Sequence, residues 1–485
     1  MDRGPSVIER GSTVTRRRFL RFAAPAVVVL VAGCQGNDGD VDSDDEDGDD
    51  DTSAGTDDDD GNGTTTAQRL EDEALAFVEY LDEGQFDRAE SMIASASLPD
   101  LEASVLEAAW TDLTARRGDP LSLLGASYVG TENGVSTIVV DARFEDGPLE
   151  FVVSFLEDTD EVAGFFIPSM VEWSAPEYVD EEAFTEETVT VETPIDCDLE
   201  GMLSVPDHDD PVPGVAIVHG SGPMDRDGTA GPNRTYKELA QGLASRGVAA
   251  IRYDKRTYAC DVDLANVTID DVAIDDALAA IEVLREDERV DAGSVVVVGH
   301  SLGGTLAPKI AARDGDLAAI AMLAPAARSI PDLVVAQHHH LFGLDGPPTE
   351  AEKSALEEIE ADADRVRDLD IADDEVVFDL GGREYYASLD EFDHLHEAAE
   401  LDLPRLVLQG GRDFQVTVDD DLSMWESTLE GEPTAEIVVH DELNHRFQRG
   451  DGAMTPTEYS EPENPLDEVV VDDLVTFVDT IDTDG

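Results

Sequence analysis

The stretch Val295–Gly304, V-V-V-V-G-H-S-L-G-G, decides the fold. Four consecutive valines show no amphipathic alternation, so they predict a strand buried on both faces, as in a parallel sheet covered by helices. The residues behind them follow G-x-S-x-G, with Gly299, Ser301 and Gly303 at the fixed positions and His300 between. Thr305 to Arg313 is alanine-rich and reads as a helix. A strand, a sharp turn carrying a serine and then a helix make a nucleophile elbow. Its glycines are required where the turn brings backbone against neighbouring chain, leaving no room for a Cβ. The helix N-terminus directs positive dipole towards the serine and any oxyanion formed beside it.

On either side of the elbow, short apolar runs alternate with helical stretches across residues 186–485. Candidate strands are Thr188–Thr193, Gly201–Val205, Val215–His219, Val248–Tyr253, Ser294–Gly299, Leu317–Leu323, Arg405–Gln409 and Ala435–Val439. Eight strands in this order, with a hairpin-like start, predict the α/β-hydrolase layout, an α/β fold built on a mainly parallel sheet. Residues 329–402 separate two strands expected to be neighbours. Loops have a median of about 4–6 residues, so a segment this long predicts a helical lid.

A serine hydroxyl needs a base, and the base needs a carboxylate to orient it. In this layout the chain order is serine, acid, histidine. His338, His339, His340, His394 and His396 precede the strand expected to deliver the acid, and His440 ends the last strand. His445, in D-E-L-N-H-R-F, lies on the following loop and is the candidate base. Asp413 ends L-V-L-Q-G-G-R-D and is the candidate acid. Its rivals Asp419, Asp420 and Asp421 open the next helix, where carboxylates commonly serve the helix dipole. The oxyanion hole needs two backbone N–H groups. Leu302 supplies one, and Ser221, in the loop H-G-S-G-P-M-D-R-D-G (His219 to Gly228), is expected to supply the other. Consecutive histidines on a helix point apart, so His338 to His340 read as structural or pocket-lining, and neither metal nor cofactor is expected.

Together H-G-S-G-P-M-D-R-D-G, R-Y-D-K-R (Arg252 to Arg256), G-H-S-L-G-G, L-Q-G-G-R-D-F-Q-V-T and L-N-H-R-F resemble secreted α/β-hydrolases of the esterase and serine-aminopeptidase-like group. The resemblance implies a carboxylesterase acting on small acyl esters. An aminopeptidase-like peptidase and a catalytically idle surface-binding lipoprotein are the alternatives.

Residues 67–174 predict a small α+β domain ahead of the hydrolase. Leu70, Ala74, Phe77, Val78 and Leu81 recur at helical spacing, as do Leu101, Val105, Ala109 and Leu113. Strand-like runs follow at Leu121–Tyr128, Ser136–Phe144, Glu150–Leu156 and Val162–Met170. The segment Ala74 to Ala89 resembles a small domain of unknown function often found before such hydrolases, and it carries no evident chemistry.

The chain begins with an address. Arginines within Thr15 to Phe22 and the apolar run Ala23 to Gly33 resemble a twin-arginine signal over residues 1–33. The run is too short to span about 30 Å of hydrocarbon. It ends in V-A-G-C, which resembles a lipobox, so Cys34 is the expected lipidation site and the membrane the expected partner. Residues 34–66 are acidic and low in complexity, and predict an extended tether. Cys197 and Cys260 then remain, either as a disulfide or as two free buried thiols. Sequons stand at Asn62, Asn233 and Asn266.

The 485 residues carry 31 Lys+Arg against 112 Asp+Glu, a formal net charge of −81. That excludes a nucleic-acid binder relying on phosphate neutralisation. Setting aside the export segment (net +4) and the tether (net −14) leaves −71 on the rest. Lys237, Lys255, Lys309 and Lys353 are the lysines, and such a balance suits a strongly saline environment where counterions screen self-repulsion.

Overall fold

A computed structural model describes residues 66–481 apart from 95–100, 102, 119, 133–134, 145–146, 157–158, 167–172, 196, 345 and 463. The address, Cys34 and the tether up to residue 65 lie outside the described residues. Two compact units part near residue 170.

The first unit holds helices α1 (Thr66–Asp82), α2 (Phe86–Glu90) and α3 (Ala103–Arg117), then strands β1 (Pro120–Glu132), β2 (Val135–Phe144), β3 (Gly147–Leu156) and β4 (Val162–Phe166). The strands form an antiparallel meander in sequence order. Ile138, Val140, Ala142 and Phe144 face the core at alternate positions of β2, as the period of two requires. On α1, Leu70, Ala74, Phe77, Val78 and Leu81 are buried, the stripe predicted by their spacing. The second helix differs from its prediction. Val105 and Ala109 are exposed, whereas Leu106, Trp110 and Leu113 are buried. Trp110, the largest apolar side chain on α3, stacks on Phe151 at 5.7 Å, and its demand for the interior rotates the inward face by one residue.

The second unit is built on eight strands: β5 (Phe184–Val191), β6 (Leu199–Pro206), β7 (Val212–Val218), β8 (Ala249–Tyr253), β9 (Val290–His300), β10 (Ala319–Leu323), β11 (Arg405–Gly410) and β12 (Ala435–His440). Their order across the sheet is β12-β11-β10-β9-β7-β8-β6-β5. β5, β6 and β8 pair antiparallel, and every other neighbouring pair is parallel. On β9, Val295 and Val297 enter one core while Val296 and Val298 enter the opposite one. A buried valine contributes roughly 1.5–3 kcal/mol, so both faces of this strand favour the same register.

Helices α4 (Thr235–Ala244), α5 (Asp275–Glu286) and α6 (Leu302–Asp314) cross between strands. The segment between β10 and β11 folds as α7 (Ile330–Gly343), α8 (Glu350–Arg367), α9 (Arg383–Asp390) and α10 (His394–Glu400). Val366, Tyr385, Tyr386, Phe392 and Ala398 from this insertion join the main core on the α5 side of the sheet. The last helices are α11 (Ser423–Thr428) and α12 (Glu468–Asp479). Among the described residues, no helix is long and apolar enough to cross a membrane.

Cys197 and Cys260 are joined by a disulfide that closes 63 residues of chain. The Asn233 amide is buried and donates to the Tyr459 and Glu461 carbonyls, so this sequon is structural.

Candidate active site

The elbow stands at the C-terminal end of β9, beside the strand β7 at which the sheet order reverses, where open α/β sheets place their ligands. Ser301 has φ 54° and ψ −119°, a strained backbone for a residue with a side chain, held by its N–H donating to the Leu323 carbonyl at 2.8 Å. A Cβ on Gly299 would fall 2.2 Å from the Gly303 carbonyl oxygen, and one on Gly303 would fall 2.4 Å from that of Val218. Both positions therefore exclude any larger residue. Leu302 opens α6, where backbone N–H groups lack intrahelical partners.

Asp413 and His445 are both buried. The His445 Nδ1–H donates to Asp413 Oδ2 at 2.6 Å, which leaves Nε2 as the acceptor. Asp413 also accepts from the backbone N–H groups of Gln415 and Val416 at 2.8 and 2.9 Å, and from the Gln409 side chain at 3.1 Å. Four donors thus lock the carboxylate and, through it, the imidazole. Asp421 serves elsewhere. It is fully buried and accepts from the Ala327, Arg328 and Thr417 backbone and from the Arg328 guanidinium, joining the start of the insertion to the loop after β11. Asp419 and Asp420 are exposed.

His300 has a larger part than its place in the elbow suggested. Its Nε2–H donates to the His445 carbonyl at 2.9 Å, and its ring lies 4.9 Å from that of His445. The Tyr236 hydroxyl donates to His300 Nδ1 at 3.0 Å and accepts from the Gly220 N–H at 3.1 Å. Burial, helped by neighbouring His445, holds the His300 pKa well below the usual imidazole range, so the ring is neutral and this chain of bonds keeps one direction. It runs from the base loop through the elbow to the loop bearing Ser221. A Cβ on Gly220 would lie 3.2 Å from Ser301 Cβ, so that loop rests directly against the elbow serine.

Three side chains of R-Y-D-K-R form hydrogen bonds to the same loop. The Arg252 Nε–H donates to Asp227 at 2.9 Å, Asp254 accepts from the Arg226 N–H at 2.9 Å, and Lys255 Nζ donates to the Gly220 carbonyl at 2.6 Å. No role for this motif follows from the sequence alone. Its sequence signal is four charged residues within five at the end of a buried strand.

Four other histidines are occupied by structure. His440 Nε2 meets Asp473 at 2.7 Å. His338 bonds the Val334 carbonyl, His339 meets Glu360, and His340 stacks on Phe414. Among the described residues, no group of His, Cys, Asp and Glu could hold a metal ion.

Residues 226–447 match the profile of the family described as serine aminopeptidase, S33. Over 414 residues the chain is 33% identical to Esterase EstD of Thermotoga maritima, covering 84% of this chain and 95% of that protein. The chain belongs to the serine-aminopeptidase-like esterase group of α/β-hydrolases. Structural alignments include the Pyrococcus furiosus esterase Pf2001 (15% identical, 64% of this chain and 98% of that one, TM-score 0.40). Another is Est1E from Butyrivibrio proteoclasticus (17% identical, 60% and 96%, TM-score 0.39). The observed sheet order and the 33% identical relative give this hydrolase the fold its strand order predicted, and make it of the esterase type.

Proposed function

We propose that this hydrolase is a serine carboxylesterase acting on small acyl esters. Ser301 Oγ attacks the acyl carbon while His445 Nε2 takes its proton, and Asp413 holds the ring in the required tautomer. The amides of Leu302 and Ser221 receive the oxyanion. His445 then protonates the departing alcohol, and water, activated by the same imidazole, releases the acid from the acyl-enzyme. The observation that carries this reading is the buried 2.6 Å bond between His445 and Asp413, on a loop whose carbonyl is tied to the residue before Ser301.

A fluorophosphonate probe tests the mechanism. The folded protein in high salt should label at Ser301, and absence of labelling would favour the idle binding protein. Comparing p-nitrophenyl esters with aminoacyl anilides tests the substrate, since faster turnover of anilides would make it a peptidase. The same reading places the enzyme outside the cell, held by lipid on Cys34. One acyl chain binds membranes only marginally, so the anchor needs two chains or a dialkyl lipid. Cys34→Ser should release active esterase into the soluble fraction.

A further inference from the structure

Lys255 is buried, with 3% of its surface exposed, and it belongs to none of the catalytic roles above. Its Nζ donates to the Gly220 carbonyl at 2.6 Å, and among the described residues no carboxylate lies within ion-pair distance of it. Asp276, the buried acid whose charge acts on Lys255, is taken by Arg256, whose Nε–H donates to it at 3.1 Å. A buried ammonium without a partner carboxylate is costly, so its placement against one carbonyl needs a reason. Anchoring the loop does not supply it. The Lys255 backbone N–H already holds the Met224 carbonyl at 3.0 Å, and Arg252 and Asp254 hold Asp227 and Arg226.

The carbonyl itself is informative. Gly220 C=O and Ser221 N–H belong to one planar peptide unit, so a cation bonded to the oxygen draws electron density from the nitrogen and fixes where its hydrogen points. The unit before it is fixed as well, because the Gly220 N–H donates to the Tyr236 hydroxyl. We infer that Lys255 is a positioning residue of the oxyanion hole, whose ammonium group orients and polarises the Gly220–Ser221 peptide so that the Ser221 amide is a stronger donor to the tetrahedral intermediate. This rests on the proposed roles of Ser301 and Ser221.

The charge is also titratable. Burial lowers the Lys255 pKa to about 8, partly opposed by Asp276. The groups around it do not change charge nearby. His219, at the end of β7, is pushed down to about 3 by burial and by Lys255, and burial keeps the Tyr253 phenol neutral. Arg256 stays paired with Asp276, and Val272 and Ala273 complete the wall. The cation is therefore present below about pH 8 and lost above it.

The test is Lys255→Met, which keeps the length and removes the charge, assayed in high salt with circular dichroism as the folding control. Removing one oxyanion donor lowers kcat about 10²–10³-fold, so weakening one should lower it about 10–100-fold with KM within about twofold. Affinity for a trifluoromethyl ketone, which mimics the tetrahedral intermediate, should fall by the same factor as kcat/KM. Wild-type kcat/KM, which reports the free enzyme, should decline above about pH 8, and the variant should lack that limb. A folded variant within about threefold of wild-type kcat/KM, or one that binds the ketone as wild type does, overturns the inference. Should the variant not fold, the wild-type profile decides, and a flat course from about pH 7 to about pH 10 overturns it. Fluorophosphonate labelling separates the two readings. An unlabelled wild type refutes the serine mechanism, whereas a labelled wild type with an unaffected variant refutes only the role of Lys255.

Discussion

The two compact units bury different things. In the unit ending near residue 170, the core is aromatic and aliphatic, with Trp110, Phe144 and Phe151 in mutual contact and Phe165 against Phe151. Ser136 is its one buried polar residue among the described residues. The second unit buries Arg252, Lys255, Arg256, Asp276, Asp413, Asp421 and the rings of His219, His300 and His445. Most of these stand at the ends of β7, β8, β9 and β11, around the elbow. Buried ionisable groups are stable only when others satisfy them, so they accumulate where orientation matters more than simple burial. A core that needs only cohesion is built from hydrocarbon.

The broadest challenge to this contrast is one that should affect both units. With −71 beyond the tether, transfer from molar salt to below about 0.1 M lengthens the screening distance to about 10 Å and exposes carboxylate repulsion over the whole surface. Circular dichroism should show structure lost on desalting and partly regained in molar salt. An unchanged spectrum and melting curve would show that counterions are not needed.

The next effect belongs to the second unit alone. Ser301→Ala should lower kcat at least about 10³-fold with normal folding, and adding His445→Ala should cost little more, because the residues act as a unit. Activity within about tenfold of wild type would remove Ser301 from the mechanism.

A matched pair sharpens the contrast. Asp276→Asn leaves the Arg256 guanidinium buried and uncompensated, which typically costs about 3–5 kcal/mol. Phe151→Ala opens a cavity in the aromatic cluster for a similar loss of about 3–5 kcal/mol. Urea unfolding in molar salt should find both losses. Turnover per folded molecule should fall for Asp276→Asn and hold for Phe151→Ala, and the reverse result would break the division between cohesive and orienting cores.

The smallest effect is the disulfide. Replacing Cys197 and Cys260 with serine removes the constraint on a 63-residue loop and should cost about 2–4 kcal/mol in melting experiments. Activity at low temperature should be retained, since neither residue touches the elbow, Asp413 or His445.

Whatever depends on local pattern was legible in the sequence. Four valines, the glycine spacing around Ser301 and the order of Ser301, Asp413 and His445 pointed to the elbow and to the two residues that the structure joins by a hydrogen bond, Asp413 and His445. They are readable because close backbone approach admits only glycine and because chain order follows strand order. The stripe on α1 was legible for the same reason, as one helical period. The face of α3 was not, because Val105 and Leu106 fit helical patterns equally well until Trp110 meets Phe144 and Phe151.

Sequence alone therefore determined the sheet, the elbow and the candidates for base and acid, since these follow from periodicity, steric exclusion and connectivity. Only the tertiary structure decided that Cys197 meets Cys260, that Asp421 clasps Arg328 while Asp413 meets His445, and that Asn233 is buried. It alone brought Lys255 and Tyr236 to the two sides of Gly220. A hydrogen bond depends on a few ångströms between residues tens to hundreds of positions apart. No local pattern encodes that distance, and the packing of the sheet and its helices sets it.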